Sequence, residues 1–152
     1  AAERVIAAGG TVFTATGPVG WRPSTTPKEV SAAAELPAAP FVVLSATLRR
    51  ATVTDADLEP LAAAAGLGKL DLRDTPVAAD GLTHGARIPA LHTLDLTGTG
   101  TTDDGLRRLH GCRELRELDL TRTGVTAAGR AAFRAAVPGC RVTHDGGTDP
   151  PR

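Results

Sequence analysis

The chain contains 152 residues, 41% of them hydrophobic, and this size and composition predict one domain with a continuous apolar core. Its 17 basic and 17 acidic residues give a formal net charge of zero, which argues against nucleic acid or an anionic membrane surface as a partner. No apolar segment approaches the roughly 20 residues that a membrane-spanning helix needs.

Residues 1–40 predict an N-terminal cap that precedes a regular, repetitive region. Residues 1–8 are mostly apolar and predict a short helix, and residues 12–13 predict a strand. Residues 17–40 are rich in Gly and Pro and predict an inserted segment, with one helix over 26–36 that begins at a Thr-Pro-Lys-Glu capping box. We therefore expect the cap to combine a helix, a strand and this insertion.

A Leu-x-x-Leu-x-Leu pattern recurs along the middle of the chain at a constant spacing of 24 residues. A weaker copy precedes the three complete ones, and residues 141–144 place Val142 at the same spacing after the last. Constant spacing over several copies is typical of stacked repeats, and degraded copies are typical of the ends of a stack. The complete copies are Leu67, Leu70 and Leu72; Leu91, Leu94 and Leu96; and Leu115, Leu118 and Leu120, and the weaker copy is Val43, Ala46 and Leu48.

Each copy predicts one short strand and one return segment. The leucines alternate with polar residues, so one face of each strand is expected to be buried and the other exposed. Strands one repeat apart are expected to pair as a parallel sheet, in a solenoid that spans residues 41–145. Residues 125–134 predict a return helix that packs Phe133 inward, whereas the first two return segments are expected to be short helices or 3₁₀ turns. Residues 146–152 have nothing to bury and predict a disordered tail.

Residues 94–106, Leu-Asp-Leu-Thr-Gly-Thr-Gly-Thr-Thr-Asp-Asp-Gly-Leu, resemble the short leucine-rich repeats of bacteria such as planctomycetes. The segments Ala-Ala-Gly-Gly-Thr-Val at 7–12 and Val-Pro-Gly-Cys-Arg-Val at 137–142 are similar to the ends of such arrays. The resemblance implies an α/β fold: a right-handed leucine-rich-repeat solenoid with a parallel concave β-sheet, about four 24-residue repeats and an N-terminal cap. It also implies a scaffold or protein-binding role without enzymatic activity, in some proteins of this kind joined to a Ser/Thr kinase or another signalling domain.

The concave face is the expected binding site, because it presents the residues that lie between the leucines. Its middle row is Asp71, Asp95 and Asp119, and like charges about 4.8 Å apart repel by roughly 1–3 kcal/mol per neighbouring pair. Basic residues on the same face are expected to offset this repulsion. Two interpretations stay open: the row binds a cationic surface of a partner, or it is a consensus feature of the repeat that solvent screens. The candidate protein-binding residues are Arg49, Lys69, Asp71, Arg73, Thr93, Asp95, Thr97, Glu117, Asp119 and Thr121, with Thr47, Arg141 and Thr143 on the flanking strands.

The spacing of the chemically reactive residues predicts neither catalysis nor a metal site. The four histidines occupy different positions of the repeat and are not expected to converge, and flat neighbouring strands cannot surround calcium with six oxygens. Cys112 and Cys140 match neither a disulfide framework nor a metal-ligand spacing, so both are expected to be free, buried thiols. We therefore expect no enzymatic activity, no metal and no cofactor.

The function expected from the sequence is non-catalytic recognition of a protein partner through the concave face. The alternative is a structural spacer or regulatory appendage of a larger multidomain signalling protein. Five strands offer on the order of 250 Å² of face, whereas a standard interface buries about 800 Å² per partner, so weak binding, a contribution from loops or a longer chain is expected. The protein is expected to be monomeric or part of a longer chain, and cytoplasmic unless a targeting signal was removed together with the missing N-terminal Met.

Overall fold

The computed structural model describes residues 2–7, 9–16, 28–31 and 41–151, and the statements below concern these residues. They form five α-helices, two 3₁₀ turns and eight strands. The helices are α1 (Ala2–Ala7), α2 (Asp55–Leu58), α3 (Ala79–Gly85), α4 (Asp103–Arg108) and α5 (Ala127–Ala136), and the 3₁₀ turns are Glu59–Ala63 and Leu109–Gly111. The strands are β1 (Thr11–Thr16), β2 (Lys28–Val30), β3 (Phe41–Thr47), β4 (Lys69–Asp71), β5 (Thr93–Asp95), β6 (Glu117–Asp119), β7 (Arg141–His144) and β8 (Gly147–Asp149).

The strands form one open sheet in the order β2-β1-β3-β4-β5-β6-β7-β8. The five strands from β3 to β7 are parallel neighbours. In contrast, β1 runs antiparallel to both β2 and β3, and β8 runs antiparallel to β7. The sheet is therefore mixed, with a parallel centre and antiparallel edges.

The prediction of a leucine-rich-repeat solenoid with a parallel sheet and about four repeats is wrong. β8 follows β7 after a two-residue turn, and so short a connection joins antiparallel neighbours, since a parallel crossover needs a dozen or more residues. β1 enters the sheet antiparallel to β3 and has no counterpart in the leucine pattern. The leucine pattern is confined to the strands from β3 to β7, so it gives no information about how β1, β2 and β8 pair at the edges of the sheet.

Within the parallel centre, the expected alignment of the leucines is confirmed. Leu70 pairs with Leu94, and Leu94 pairs with Leu118. Ala46 and Val142 continue this row on the two flanking strands, and all five side chains are buried. The same apolar core also contains side chains from the return segments, from α1 and from β1. The N-terminal segment and the repetitive region therefore share one core.

The ends of the chain match the expectations only in part. The helix expected within residues 1–8 and the strand expected at 12–13 are confirmed as α1 and part of β1. The prediction of a helix over 26–36 is wrong at Lys28–Val30, which form β2. Backbone pairing with β1 outweighs the local capping signal there. Apart from Ser31, the rest of that range lies outside the described residues. The tail expected to be disordered contains β8, which pairs with β7.

The return segments are short helices that are tied to one another. The helix expected at 125–134 is confirmed as α5, in which the Thr126 hydroxyl accepts a hydrogen bond from the Gly129 N–H at 3.1 Å and Phe133 is fully buried. The Asp103 carboxylate of α4 accepts hydrogen bonds from the Thr126 N–H at 2.8 Å and from its hydroxyl at 2.7 Å. These bonds join the start of α4 to the start of α5, one repeat further along.

The turns after the central strands share an unusual backbone conformation. The angle φ is 55° at Asp74, 69° at Gly98 and 55° at Arg122, which are equivalent positions of three successive units. Arg122 Nη2 donates to Asp74 Oδ1 at 2.8 Å, so the ion pair joins the first of these units to the third, beside Gly98. A Cβ atom on Gly98 would collide with that same carboxylate oxygen. Glycine at this position therefore leaves room for the ion pair.

Gly98→Ala is expected to lower the free energy of unfolding by about 1–2 kcal/mol, because an alanine at positive φ is strained. Its Cβ would also push the Asp74 carboxylate away from Arg122. Urea denaturation measures the effect. Gly100→Ala in the same turn is the matched control, because the atom nearest to its added Cβ lies at 4.0 Å; an equal loss in both variants would contradict this role of Gly98.

Candidate functional site

The polar face of the sheet is the face opposite the buried leucines, and it carries the residues that alternate with them in β4 to β7. A depression of about 280 Å³ lies on this face. The strand register places equivalent residues side by side, so that two rows of polar side chains cross the strands. The first row is Lys69, Thr93, Glu117 and Arg141, and the second is Asp71, Asp95, Asp119 and Thr143. The depression is lined by Lys69, Arg73, Thr93, Leu94, Asp95, Glu117, Leu118, Asp119, Arg141 and Thr143.

Six of the ten candidate residues come together in this depression, and four do not line it. Arg49 is exposed beyond the end of β3, and Thr97 and Thr121 are half-buried beyond the ends of β5 and β6. The expectation that Asp71 is exposed is wrong, because only 3% of this residue is accessible to solvent. Strand alternation alone could not show this, because the burial comes from the Arg73 side chain that lies against it.

The three aspartates of the second row make the same backbone contact. Asp71 Oδ1 accepts from the Arg73 N–H at 3.1 Å, and Asp95 Oδ1 accepts from the Thr97 N–H at 3.0 Å. Asp119 Oδ1 accepts from the Thr121 N–H at 2.9 Å. Aspartate commonly hydrogen-bonds the backbone two residues further on and so closes a turn. The row therefore has a structural role in each of the three units.

Arg73 offsets much of the repulsion along this row. Its Nε donates to Asp71 Oδ1 at 3.0 Å, and its Nη2 donates to Asp71 Oδ2. The same Nε lies 3.1 Å from Asp95 Oδ2, so one guanidinium contacts two carboxylates. Burial raises the pKa of Asp71, but the hydrogen bonds from the Arg73 side chain and backbone and the charges of Arg73 and Arg49 outweigh it, so the pKa lies below its ordinary value.

Four other charged residues of the depression have no such partner. Within the part of the chain that the structure describes, no oppositely charged group lies within 4.0 Å of the charged groups of Lys69, Glu117, Asp119 or Arg141. Lys69, Glu117 and Arg141 are exposed, and Asp119 is half-buried. The depression therefore presents two cations and two anions to solvent.

Both cysteine thiols are buried, and burial raises their pKa values. Burial raises the pKa of the Cys112 thiol to about 11, and burial together with the nearby Cys112 raises that of Cys140 to about 12. Both are free cysteines, as expected, and protonated thiols are poor nucleophiles. Over the described ranges, no group of three or more His, Cys, Asp or Glu side chains could hold a metal ion.

Comparisons with known proteins leave the family open. Neither the comparison with models of protein families nor the comparison with curated proteins finds a match for this chain. The resemblance of residues 94–106 to bacterial leucine-rich repeats therefore stays a prediction. None of the helices in the described part of the chain is long and apolar enough to cross a membrane.

Proposed function

We propose that this chain is a non-catalytic binding module that recognises a protein partner through the polar face of its sheet. The observation that carries the proposal is the depression in which Lys69, Glu117, Asp119 and Arg141 lie without ion-pair partners among the described residues. The pairing of β4 to β7 holds the backbone positions of these side chains in a fixed register. A partner whose charges complement those of the four side chains gains specificity from the match.

The chemistry of the depression favours a polypeptide of mixed charge. Glu117 and Asp119 offer carboxylates to a Lys or Arg side chain, and Lys69 and Arg141 offer cations to an Asp or Glu side chain. A polyanion would meet the carboxylates of Asp95, Glu117 and Asp119, which would repel it. Few apolar side chains line the depression, so we expect weak binding in which charge contributes more to specificity than to affinity.

A purely structural role is the second candidate, and the aspartate row favours it. All three aspartates already accept turn-closing hydrogen bonds, and Arg73 occupies two of them. A spacer or a regulatory appendage of a multidomain signalling protein, such as one with a Ser/Thr kinase domain, would need no more than this. The resemblance of residues 94–106 to bacterial leucine-rich repeats is compatible with both candidates.

The two candidates differ in what a reversal of charge on the polar face does. Glu117→Lys combined with Arg141→Glu keeps the net charge, changes two exposed side chains and leaves the turn-closing aspartates intact. Glu59→Lys combined with Arg87→Glu makes the same change at exposed positions of the return segments. In a pull-down from an extract of the source cells, we expect the first variant to lose partners that the wild type and the control variant retain. Equal recovery by all three proteins would remove the polar face as the binding site.

A further inference from the structure

A cluster of basic side chains lies between α5 and the hairpin of β7 and β8. Arg130 and Arg134 are one turn apart on α5, and His144 ends β7. All three surround the carboxylate of Asp149 in β8. The distances to its oxygens are 3.7 Å from Arg130 Nε, 3.6 Å from Arg134 Nη1 and 3.7 Å from His144 Nε2.

These distances are too long for hydrogen bonds, although the basic groups are largely removed from solvent. The side chains of Arg130, Arg134 and His144 are 20%, 18% and 16% exposed. The Nε atoms of both arginines are buried and have no hydrogen-bond partner among the described residues. Buried guanidinium groups normally have their donors satisfied, so this cluster has more donor capacity than the Asp149 carboxylate uses.

The histidine adds a third donor aimed at the same place. His144 Nδ1 accepts a hydrogen bond from the Gly146 N–H at 3.0 Å. A neutral ring that accepts at Nδ1 carries its proton on Nε2, the atom that faces Asp149. Arg134 also has an acceptor elsewhere, because its Nη2 donates to the carbonyl oxygen of Pro150 at 2.9 Å. That bond fixes the guanidinium in position and leaves Nε and Nη1 available.

We propose that Arg130, Arg134 and His144 form a binding site for a phosphate group, which Asp149 occupies as an internal substitute when no ligand is bound. Two guanidinium groups against one carboxylate leave one formal positive charge, before His144 is counted. A phosphate group carries about two negative charges near neutral pH and presents three acceptor oxygens, so it can accept hydrogen bonds from all three side chains. The Asp149 carboxylate reaches none of the three within hydrogen-bond distance.

The shape of the hairpin allows the exchange. β8 is an edge strand of three residues, and only its side chain at Asp149 enters the cluster. Rotation of that side chain towards solvent admits the ligand without any change in the pairing of β7 and β8. Asp149 is 30% exposed and so lies at the mouth of the site.

Titration calorimetry at low ionic strength tests the site with inorganic phosphate and with O-phosphoserine as probes. We expect Asp149→Asn to bind the phosphate group about tenfold more tightly than the wild type, because one competing negative charge is gone. Arg130→Gln combined with Arg134→Gln is expected to abolish binding. Arg107→Gln combined with Arg108→Gln removes the same charge from exposed positions of α4 and is expected to leave binding unchanged.

The two probes distinguish the source of the phosphate group. Tighter binding of O-phosphoserine indicates a phosphorylated protein, and equal or tighter binding of inorganic phosphate indicates the free ion. Circular dichroism checks that each variant is folded. If the double arginine variant does not fold, the comparison of Asp149→Asn with the wild type decides the test. The proposal is overturned if neither probe binds the wild type or Asp149→Asn, or if the α4 control loses as much binding as the α5 variant.

Discussion

Phe133→Ala is expected to lower the free energy of unfolding by about 3–5 kcal/mol. Phe133 is fully buried and belongs to α5, the longest helix in the described part of the chain. Its ring lies 6.1 Å from that of His110, between the last return segment and the one before it. Removal of the ring would leave a cavity in the apolar core beside the 3₁₀ turn at Leu109–Gly111. Chemical denaturation monitored by circular dichroism measures the loss.

Two variants make this result specific. Phe133→Leu keeps part of the apolar volume and is expected to cost less than the alanine variant. Ala132→Ser changes an exposed neighbour on the same helix and is expected to stay within about 0.5 kcal/mol of the wild type. A Phe133→Ala protein as stable as Ala132→Ser would show that α5 does not pack on the core as described.

Arg73→Thr is expected to lower the free energy of unfolding by about 1.5–3 kcal/mol at neutral pH. Threonine occupies the equivalent position in the next two units, as Thr97 and Thr121, so the substitution suits the local backbone. It removes the guanidinium that hydrogen-bonds the buried Asp71 and contacts Asp95. Asp71 would then have lost the cation that pairs with it and would repel Asp95, its neighbour in the row.

The loss should depend on pH in a defined direction. Because the pKa of Asp71 in the folded protein lies below its ordinary value, the contact with Arg73 stabilises the fold above the pKa of the unfolded chain, about 3.9. The stabilisation disappears as the pH falls through the lower pKa of the folded state. The difference between wild type and Arg73→Thr should therefore be largest near neutral pH and shrink below about pH 4. A difference that stays constant on acidification would contradict this role for Arg73.

The repeat spacing was sufficient to predict the parallel centre of the sheet. A spacing of 24 residues, kept over three copies, requires equivalent leucines to meet at the same face, and Leu70, Leu94 and Leu118 are in register. The edges could not be predicted in this way, because β1, β2 and β8 lie outside the pattern and pair through backbone groups that any sequence possesses. The mixed sheet follows from those edges.

The sequence was sufficient to predict which side chains lie on the polar face, but not which contacts those side chains make. Alternation correctly placed Lys69, Glu117 and Arg141 on the polar face, because it depends only on strand geometry. It could not show that Arg73 folds back over Asp71, which depends on the conformation of one long side chain. The cluster around Asp149 was missed because the sequence of residues 146–152 shows no apolar pattern, and the position of Gly147–Asp149 depends on strand pairing and on basic residues of α5.

Hydrogen exchange at four equivalent backbone amides is the most direct test of the side-by-side arrangement that positions every residue of the polar face. The N–H groups of Leu48, Leu72, Leu96 and Leu120 donate to the carbonyl oxygens of Asp71, Asp95, Asp119 and Thr143, at 2.8 to 2.9 Å. We expect all four amides to exchange slowly, and Leu72 and Leu96, in the centre of the sheet, to exchange only through global unfolding. Exchange of the Leu72 and Leu96 amides at the rate of an unfolded peptide would contradict the side-by-side arrangement of the central strands.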